Sequence, residues 1–328
     1  MPSVQIRPFR RSDRDQLTDL VNAHAGDVVP GMGTSVAALL ASLDRDPGEP
    51  VTDPWVGERA TLVAEQQHRV VAAAHLLRYL GDERAGESFR GAGEIKWLVF
   101  WPEAPSGNRH WSPAAGAAEK LIAACIAQFE RWGVTRQRAE GDLPVPCGVY
   151  GVPEQWPHVA VLYERAGFRQ AGHSEIICLA RVAGLPRPAA PPLEGLAVRR
   201  SVGMNGTRLS AVRDGEVAGY IEVEIREKGE RLSARGRWAD VGNLHVTGKC
   251  RRRGVATWLL GHAAAWLDLA QVDSLLDYSC DCTRNPGRCD QAGYQAFLAS
   301  AGFRELTRTR RGWTRAPADG QLASAPAP

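Results

Sequence analysis

Residues 244–256 read Leu244-His245-Val246-Thr247-Gly248-Lys249-Cys250-Arg251-Arg252-Arg253-Gly254-Val255-Ala256. A strand-like run enters a polar turn, and the stretch after it, with Trp258, Leu259 and Leu260, has the apolar spacing of an amphipathic helix. Gly254 permits a tight turn and a close approach of the backbone to a ligand. The N–H groups of residues 251–256 then point out of a helix start, where the dipole and the flanking arginines favour an anion. A pyrophosphate fits such a cradle, and the strand before it offers its backbone to an extended ligand arm. The plainer reading is an arginine-capped surface helix, and the surrounding pattern weighs against it.

That pattern is an internal repeat. Thr61 to Glu65, a turn at Gln66-Gln67-His68-Arg69 and Val70 to Arg78 correspond to Thr207 to Arg213, a turn at Asp214-Gly215-Glu216 and Val217 to Glu224. Asp-Gly between alternating apolar runs is a hairpin signal. Glu94-Ile95-Lys96-Trp97-Leu98-Val99-Phe100 then corresponds to Asp240-Val241-Gly242-Asn243-Leu244-His245-Val246, each run opening on an acid. Helices follow over Ala114 to Trp132 and Val255 to Leu269. Each half closes on a helix ending in Gly-Phe, at Gly167-Phe168 and Gly302-Phe303. Strands and helices in this order form an α/β (α+β) unit, present twice.

The chain has 328 residues, room for two domains. The boundaries read as 1–184 for the first unit, 185–193 for a proline-rich linker, 194–315 for the second unit and 316–328 for a disordered tail. The 40 basic and 37 acidic residues give a net charge of +3, too balanced for a dedicated nucleic-acid binder. No apolar run reaches membrane-spanning length and the start carries no signal-like segment, so a cytoplasmic protein without a membrane partner is expected. Seven cysteines in such a chain read as free thiols. Cys280-x-Cys282 with Cys289 lacks a properly spaced fourth ligand, so no metal site is expected.

The order of strand, Arg251-x-x-Gly254-x-Ala256 and helix, with a Gly-Phe helix end some fifty residues later, resembles the GNAT superfamily of N-acetyltransferases over most of residues 196–312. The resemblance implies two tandem units, each a mixed, largely antiparallel sheet flanked by helices. It implies acetyl-CoA as cosubstrate, held by Arg251, Arg252, Arg253, Gly254, Val255, Ala256 and Thr257, with its pantetheine arm along Leu244, His245 and Val246. The first half resembles the family more loosely. Pro113 stands where the family has Gln or Arg, and an insertion, Pro102 to Ser112, precedes its helix, so its cradle reads as degenerate.

Acetyl transfer to an amine needs a base to strip the ammonium and an acid for the leaving thiolate. Asp240 falls where some family members carry a glutamate base; a strand-end acid facing solvent is the alternative. Glu222 shares a strand face with Glu224 and is a second carboxylate candidate against a solvated face. His245 reads as a packed or exposed imidazole before it reads as a base. The family's acid tyrosine falls at Tyr163 in the first half but at Leu298 in the second, where Tyr294, one turn earlier, is the substitute.

These readings describe an acetyl-CoA-dependent N-acetyltransferase whose second half is catalytic and whose acceptor is a primary amine of a small molecule or peptide. A monomer (itself an intrachain pseudo-dimer) or a homodimer suits it. A non-catalytic acyl-CoA sensor or scaffold and an aminoacyl-tRNA-dependent transferase stay open as other classes.

Overall fold

A computed structural model describes residues 3–46, 49, 51–101, 114–145, 149–171, 173–187, 190–225, 237–281 and 291–316. The first half runs β1 (Gln5–Pro8), α1 (Arg14–Val28), α2 (Val36–Asp44), β2 (Val56–Gln66), β3 (Arg69–Tyr79), β4 (Ala92–Phe100), α3 (Ala114–Arg131), β5 (Arg136–Ala139), β6 (Val152–Pro153), α4 (Pro157–Arg165), β7 (Arg169–Gln170) and β8 (Ser174–Arg181). The second runs β9 (Ala197–Gly203), β10 (Gly206–Arg213), β11 (Glu216–Ile225), β12 (Arg237–Val246), α5 (Val255–Leu269), β13 (Val272–Asp281), α6 (Gln291–Ser300), β14 (Arg304–Arg310) and β15 (Trp313–Arg315).

Local chemistry sets the repeated pieces. Both hairpins turn through two left-handed residues, Gln67 and His68 between β2 and β3, Asp214 and Gly215 between β10 and β11. This is the turn whose twist matches that of paired strands. Both Gly-Phe ends are helix stops: Gly167 (φ +88°) and Gly302 (φ +94°) take the left-handed conformation, and Phe168 and Phe303 each donate an N–H back five residues, to Tyr163 and Leu298, at 3.0 Å.

The strands form two mixed sheets. Sheet one has the order β1-β2-β3-β4-β5-β15-β7, and sheet two β6-β14-β8-β13-β12-β11-β10-β9. The halves therefore exchange strands across the boundaries read from the sequence. β8, inside the stretch 1–184, lies between β13 and β14 of sheet two, pairing Ser274↔Arg181 through Asp281↔Ser174. β15, inside 194–315, pairs with β5 and β7 of sheet one. The exchange satisfies edges that each sheet would otherwise leave open. It also joins the cores: Ile176, Cys178 and Ala180 of β8 pack in the second core, while Ile177 and Leu179 turn into the first with Trp238 and Leu276. The linker is tied down at both ends by buried Leu185 and Leu193.

The halves differ in one large respect. Helices α1 and α2 separate β1 from β2, burying Leu17, Leu20, Val21 and Leu39. In the second half β9 joins β10 through a short turn at Met204-Asn205, with no helix between.

Trp313 shows how far the halves depend on each other. It is fully buried in the first core, against Tyr163, yet belongs to the last described strand. Trp313→Ala is expected to cost ~3–5 kcal/mol. Calorimetry on the full chain should show the loss in a single transition shared by both halves. Two separate transitions, with only one displaced, would contradict a shared core.

Candidate functional site

In sheet two the central strands β12 and β13 run parallel and pair from Arg237↔Val272 to Asp240↔Leu276, where the ladder stops. On its other side β12 stays paired with β11 as far as Gly219↔Val246. The register skips Gly242, an extra residue in β12 that bends the strand away from β13. Among the described residues, backbone groups of β12 beyond the last rung thus have no strand partner on the β13 side. This stretch is also accessible: Gly242, Asn243 and His245 are exposed, and Val241, Leu244 and Val246 half-buried.

The opening leads to the start of α5. The turn combines two left-handed residues, Arg252 (φ +57°) and Gly254 (φ +82°), with an extended Arg251. Backbone N–H groups in such a sequence line a concavity suited to an anion. No side chain caps α5, and Gly254, its N-cap, leaves the first-turn N–H groups for a ligand. Arg251, Arg252, Arg253 and Gly254 are exposed. Val255 is buried and offers only its backbone; Ala256 is half-buried and Thr257 exposed. The Arg251 guanidinium is drawn back, its Nε donating to the Val246 carbonyl at 3.0 Å. A pyrophosphate fits this concavity, and an extended arm fits the open edge of β12. A Cβ on Gly254 would meet Pro192 at 3.2 Å. The glycine is needed for its left-handed backbone and for the linker packed on it, rather than for room facing the ligand.

The catalytic candidates are placed as follows. Asp240 is the fourth residue of β12, not its first, on the last rung of the ladder, and is buried at 4 % exposure. It shares a face with its partner Leu276, away from α5 and α6. Glu222 is buried and bound: Arg208 reaches it at 2.6 Å, with the Asn205 amide and the Met204 N–H each at 3.3 Å. That carboxylate closes the β9–β10 turn. Tyr294 of α6 donates its hydroxyl to Asp277 Oδ2 at 2.6 Å. Burial first, then Asp277, pushes the Tyr294 hydroxyl well above its ordinary range, and burial lifts Asp277 to about 6. Asp277 is the first residue of β13 beyond the last rung, on the face opposite Asp240. Asp240 and the Tyr294–Asp277 pair therefore flank the opening from its two sides, while Glu222 stands apart. Leu298 belongs to the core, as does Tyr163, whose hydroxyl donates to the Glu140 carbonyl at 2.8 Å. His245 is exposed, its ring 5.7 Å from Tyr220.

Asp277 is absent from the sequence-based candidates. Its one signal is an acid inside the apolar run Leu275-Leu276-Asp277-Tyr278, where an ionised group is costly without a partner.

The equivalent opening in sheet one is closed. The β4–β5 ladder ends at Ile95↔Ala139, but the chain stays on β4, with Glu140 N–H on Ile95 O at 2.8 Å and Asp142 N–H on Lys96 O at 3.0 Å. Every residue of β4 is buried except Lys96, which is half-buried. Lys96 is the skipped residue that matches Gly242, and its ammonium sits 3.0 Å from Asp142 and 3.8 Å from Glu49. Glu94, the counterpart of Asp240, is buried 3.6 Å from Arg138 with its carboxyl pushed up, chiefly by burial. The insertion 102–112 and Pro113 lie outside the described residues, as do Cys282 and Cys289. Among the described residues no three metal-capable side chains converge, and no helix is long and apolar enough to cross a membrane.

With CoA as the ligand that the sequence resemblance implies, the closed first cleft and the open second one predict one CoA per chain in calorimetric titration. Arg252→Ala with Arg253→Ala should weaken CoA at least ten-fold, a loss of ~1.4 kcal/mol or more. Two equal sites, or affinity indifferent to both arginines, would contradict this assignment.

Known proteins share this architecture. Residues 186–286 match the acetyltransferase (GNAT) family model. No curated protein matches the chain in sequence. A tandem GNAT protein from the clavulanic acid biosynthesis pathway is 16% identical, with a TM-score of 0.61 covering 97% of this chain and 100% of its own. A GCN5-related N-acetyltransferase from Sphaerobacter thermophilus is 13% identical, with a TM-score of 0.53 over 95% of each chain. A fungal glucosamine N-acetyltransferase region, part of a multi-domain enzyme, has a TM-score of 0.57 at 13% identity, covering 95% of this chain and 38% of that one. The chain thus has the fold of a tandem GNAT protein, and its second half carries a GNAT acetyltransferase domain.

Proposed function

We propose that the protein transfers an acetyl group from acetyl-CoA to a primary amine of a small molecule or peptide, and that the second half does the chemistry. The observation that carries this reading is the exposed edge of β12 beside the uncapped start of α5, set against a buried β4 in the first half. Bound acetyl-CoA supplies the thioester. Residues 252–257 hold its phosphates by backbone N–H groups and arginine charge, the Arg251 N–H being bonded instead to the Thr247 carbonyl at 3.1 Å, and Leu244, His245 and Val246 align its arm through their main chain. A β12 N–H beyond the last rung polarises the acyl carbonyl.

Asp240 takes the ammonium proton, through water because its carboxyl is buried. Glu222, engaged by Arg208, shapes the acceptor side. That side is a sheet face that no helix covers among the described residues, where Tyr220, Asn243 and His245 meet. Tyr294 supplies the proton for the leaving thiolate. The strand exchange makes one chain a complete pseudo-dimer, so a cytoplasmic monomer suits the reading. The near-balanced charge disfavours a tRNA-dependent transferase.

The second reading, an acyl-CoA sensor, rests on Leu298 replacing the family's tyrosine in the core. A mass-spectrometric screen of amines with acetyl-CoA separates the two: acetylated product supports the transferase, and tight CoA binding without product supports the sensor. Within the transferase reading, Asp240→Asn should lower kcat by about 10²–10⁴ and remove the acidic limb of the pH–rate profile, with acetyl-CoA affinity unchanged. Glu94→Gln, at the closed cleft, should leave kcat within about two-fold. The reverse pattern would move the chemistry to the first half.

A further inference from the structure

The reading above gives no role to Asp277, a buried acid at the rim of the opening. Asp277 is 2 % exposed and its Oδ1 has no hydrogen-bond partner, while Oδ2 accepts from Tyr294. An unpaired buried carboxylate oxygen is expensive, so its retention at the mouth of the strand opening calls for a cause. The first half supplies a comparison. There the tyrosine hydroxyl, from Tyr163, ends on Glu140, the first residue past the last rung of β4 and β5. In the second half the Tyr294 hydroxyl ends on Asp277, likewise the first residue past the last rung. Tyr294 starts one helical turn earlier on its helix and still brings its hydroxyl to the corresponding rim. The difference is the acceptor. Tyr163 meets a backbone carbonyl, which cannot exchange a proton; Tyr294 meets a carboxyl group, which can.

We propose that Asp277 positions Tyr294 and recharges it as a proton donor, so that the pair delivers the proton taken up by the leaving thiolate. The inference rests on the acetyl-transfer reading of this site. While Asp277 is ionised, the Tyr294 proton points at it, and giving that proton away would leave a phenolate beside a carboxylate. When Asp277 is protonated, its O–H donates to the phenol oxygen and frees the phenol proton for the cleft. During transfer the N–C bond forms and the C–S bond breaks, its electron pair leaving on sulfur. The surplus proton on nitrogen goes to Asp240, through water. Sulfur takes the Tyr294 proton, Tyr294 takes the Asp277 proton, and solvent restores Asp277 after the free thiol departs.

Among the described residues, the groups facing Asp277 are few. Tyr294 faces it from α6 and Cys178 from β8, the thiol pushed by burial to about 12; Cys178 in turn feels Glu305 and Arg308 of β14. Asp240 of β12 lies on the other face. With the Asp277 carboxyl at about 6, about a tenth carries the proton at pH 7, and the share falls as pH rises.

The test compares the full-length wild type with Asp277→Asn, Tyr294→Phe and the double variant, each checked for an unchanged thermal transition. Each single change should lower kcat by about 10²-fold while KM for acetyl-CoA stays within about two-fold. The fall of kcat above about pH 6 should vanish in all three. The double variant should be no slower than the worse single one, as for residues acting as a unit. One readout is independent of turnover. By ultraviolet titration, with Tyr294→Phe as the blank, Tyr294 should resist ionisation in the wild type and ionise nearer pH 10 in Asp277→Asn. Effects that multiply, a change confined to KM, or a tyrosine titration indifferent to Asp277→Asn would overturn the relay. Normal transfer by Asp277→Asn overturns the relay alone, whereas no transfer by the wild type to any amine overturns the proposed function and the relay with it.

Discussion

The parallel ladder between β12 and β13 ends at Asp240–Leu276, and the opening in the second half depends on where it ends. Up to that rung the two strands are an ordinary buried sheet centre. Beyond it, among the described residues, β12 has no strand partner but β11, and the extra residue Gly242 bends it away from β13. A strand in mid-sheet then has one free edge, a donor and acceptor array that a ligand arm can complete. Because the opening leads to an uncapped helix start, one extended ligand can satisfy both.

The first half shows the same framework with the constraint removed. Its chain continues along β4 for two more hydrogen bonds after the strand ladder ends, and Lys96 places an ammonium at the position matching Gly242. That ammonium is compensated by Asp142 and Glu49, so the charge is structural. Nearby, Glu140 is pushed up to about 8, by burial first and then by the neighbouring carboxylates. It accepts the Gly312 N–H, tying the last described strand into sheet one. The region that matches the open cleft of the second half is here the seat of the strand exchange.

Exchange of β8 and β15 makes each sheet a joint product of both halves. A buried network on the α6 side shows what this means for the site: Cys178, from the first half, contacts Gln295, which also bonds Ser279, on the face that holds Asp277 and Tyr294. The first half thus supports the second through packing and strand pairing while its own cleft stays closed.

The pieces legible in the sequence are those whose causes lie within a few residues. Asp214-Gly215 dictates a hairpin through left-handed backbone, Gly-Phe ends a helix through a bond back five residues, and Gly254 before an amphipathic run opens a helix with no side chain on its first-turn N–H groups. Repetition of these pieces gave the tandem architecture. The strand exchange was not legible, because β8 pairs with partners about a hundred residues away and its run Ile176 to Ala180 is apolar on both faces, suiting the middle of either sheet. Closure of the first cleft depended on Asp142 returning to Lys96 across 46 residues. Asp277 took on meaning only when α6 carried Tyr294 onto it. Turn and cap chemistry is local and therefore written in the sequence; which strands share a sheet, and which acid a hydroxyl meets, is decided by long-range burial that only the folded chain provides.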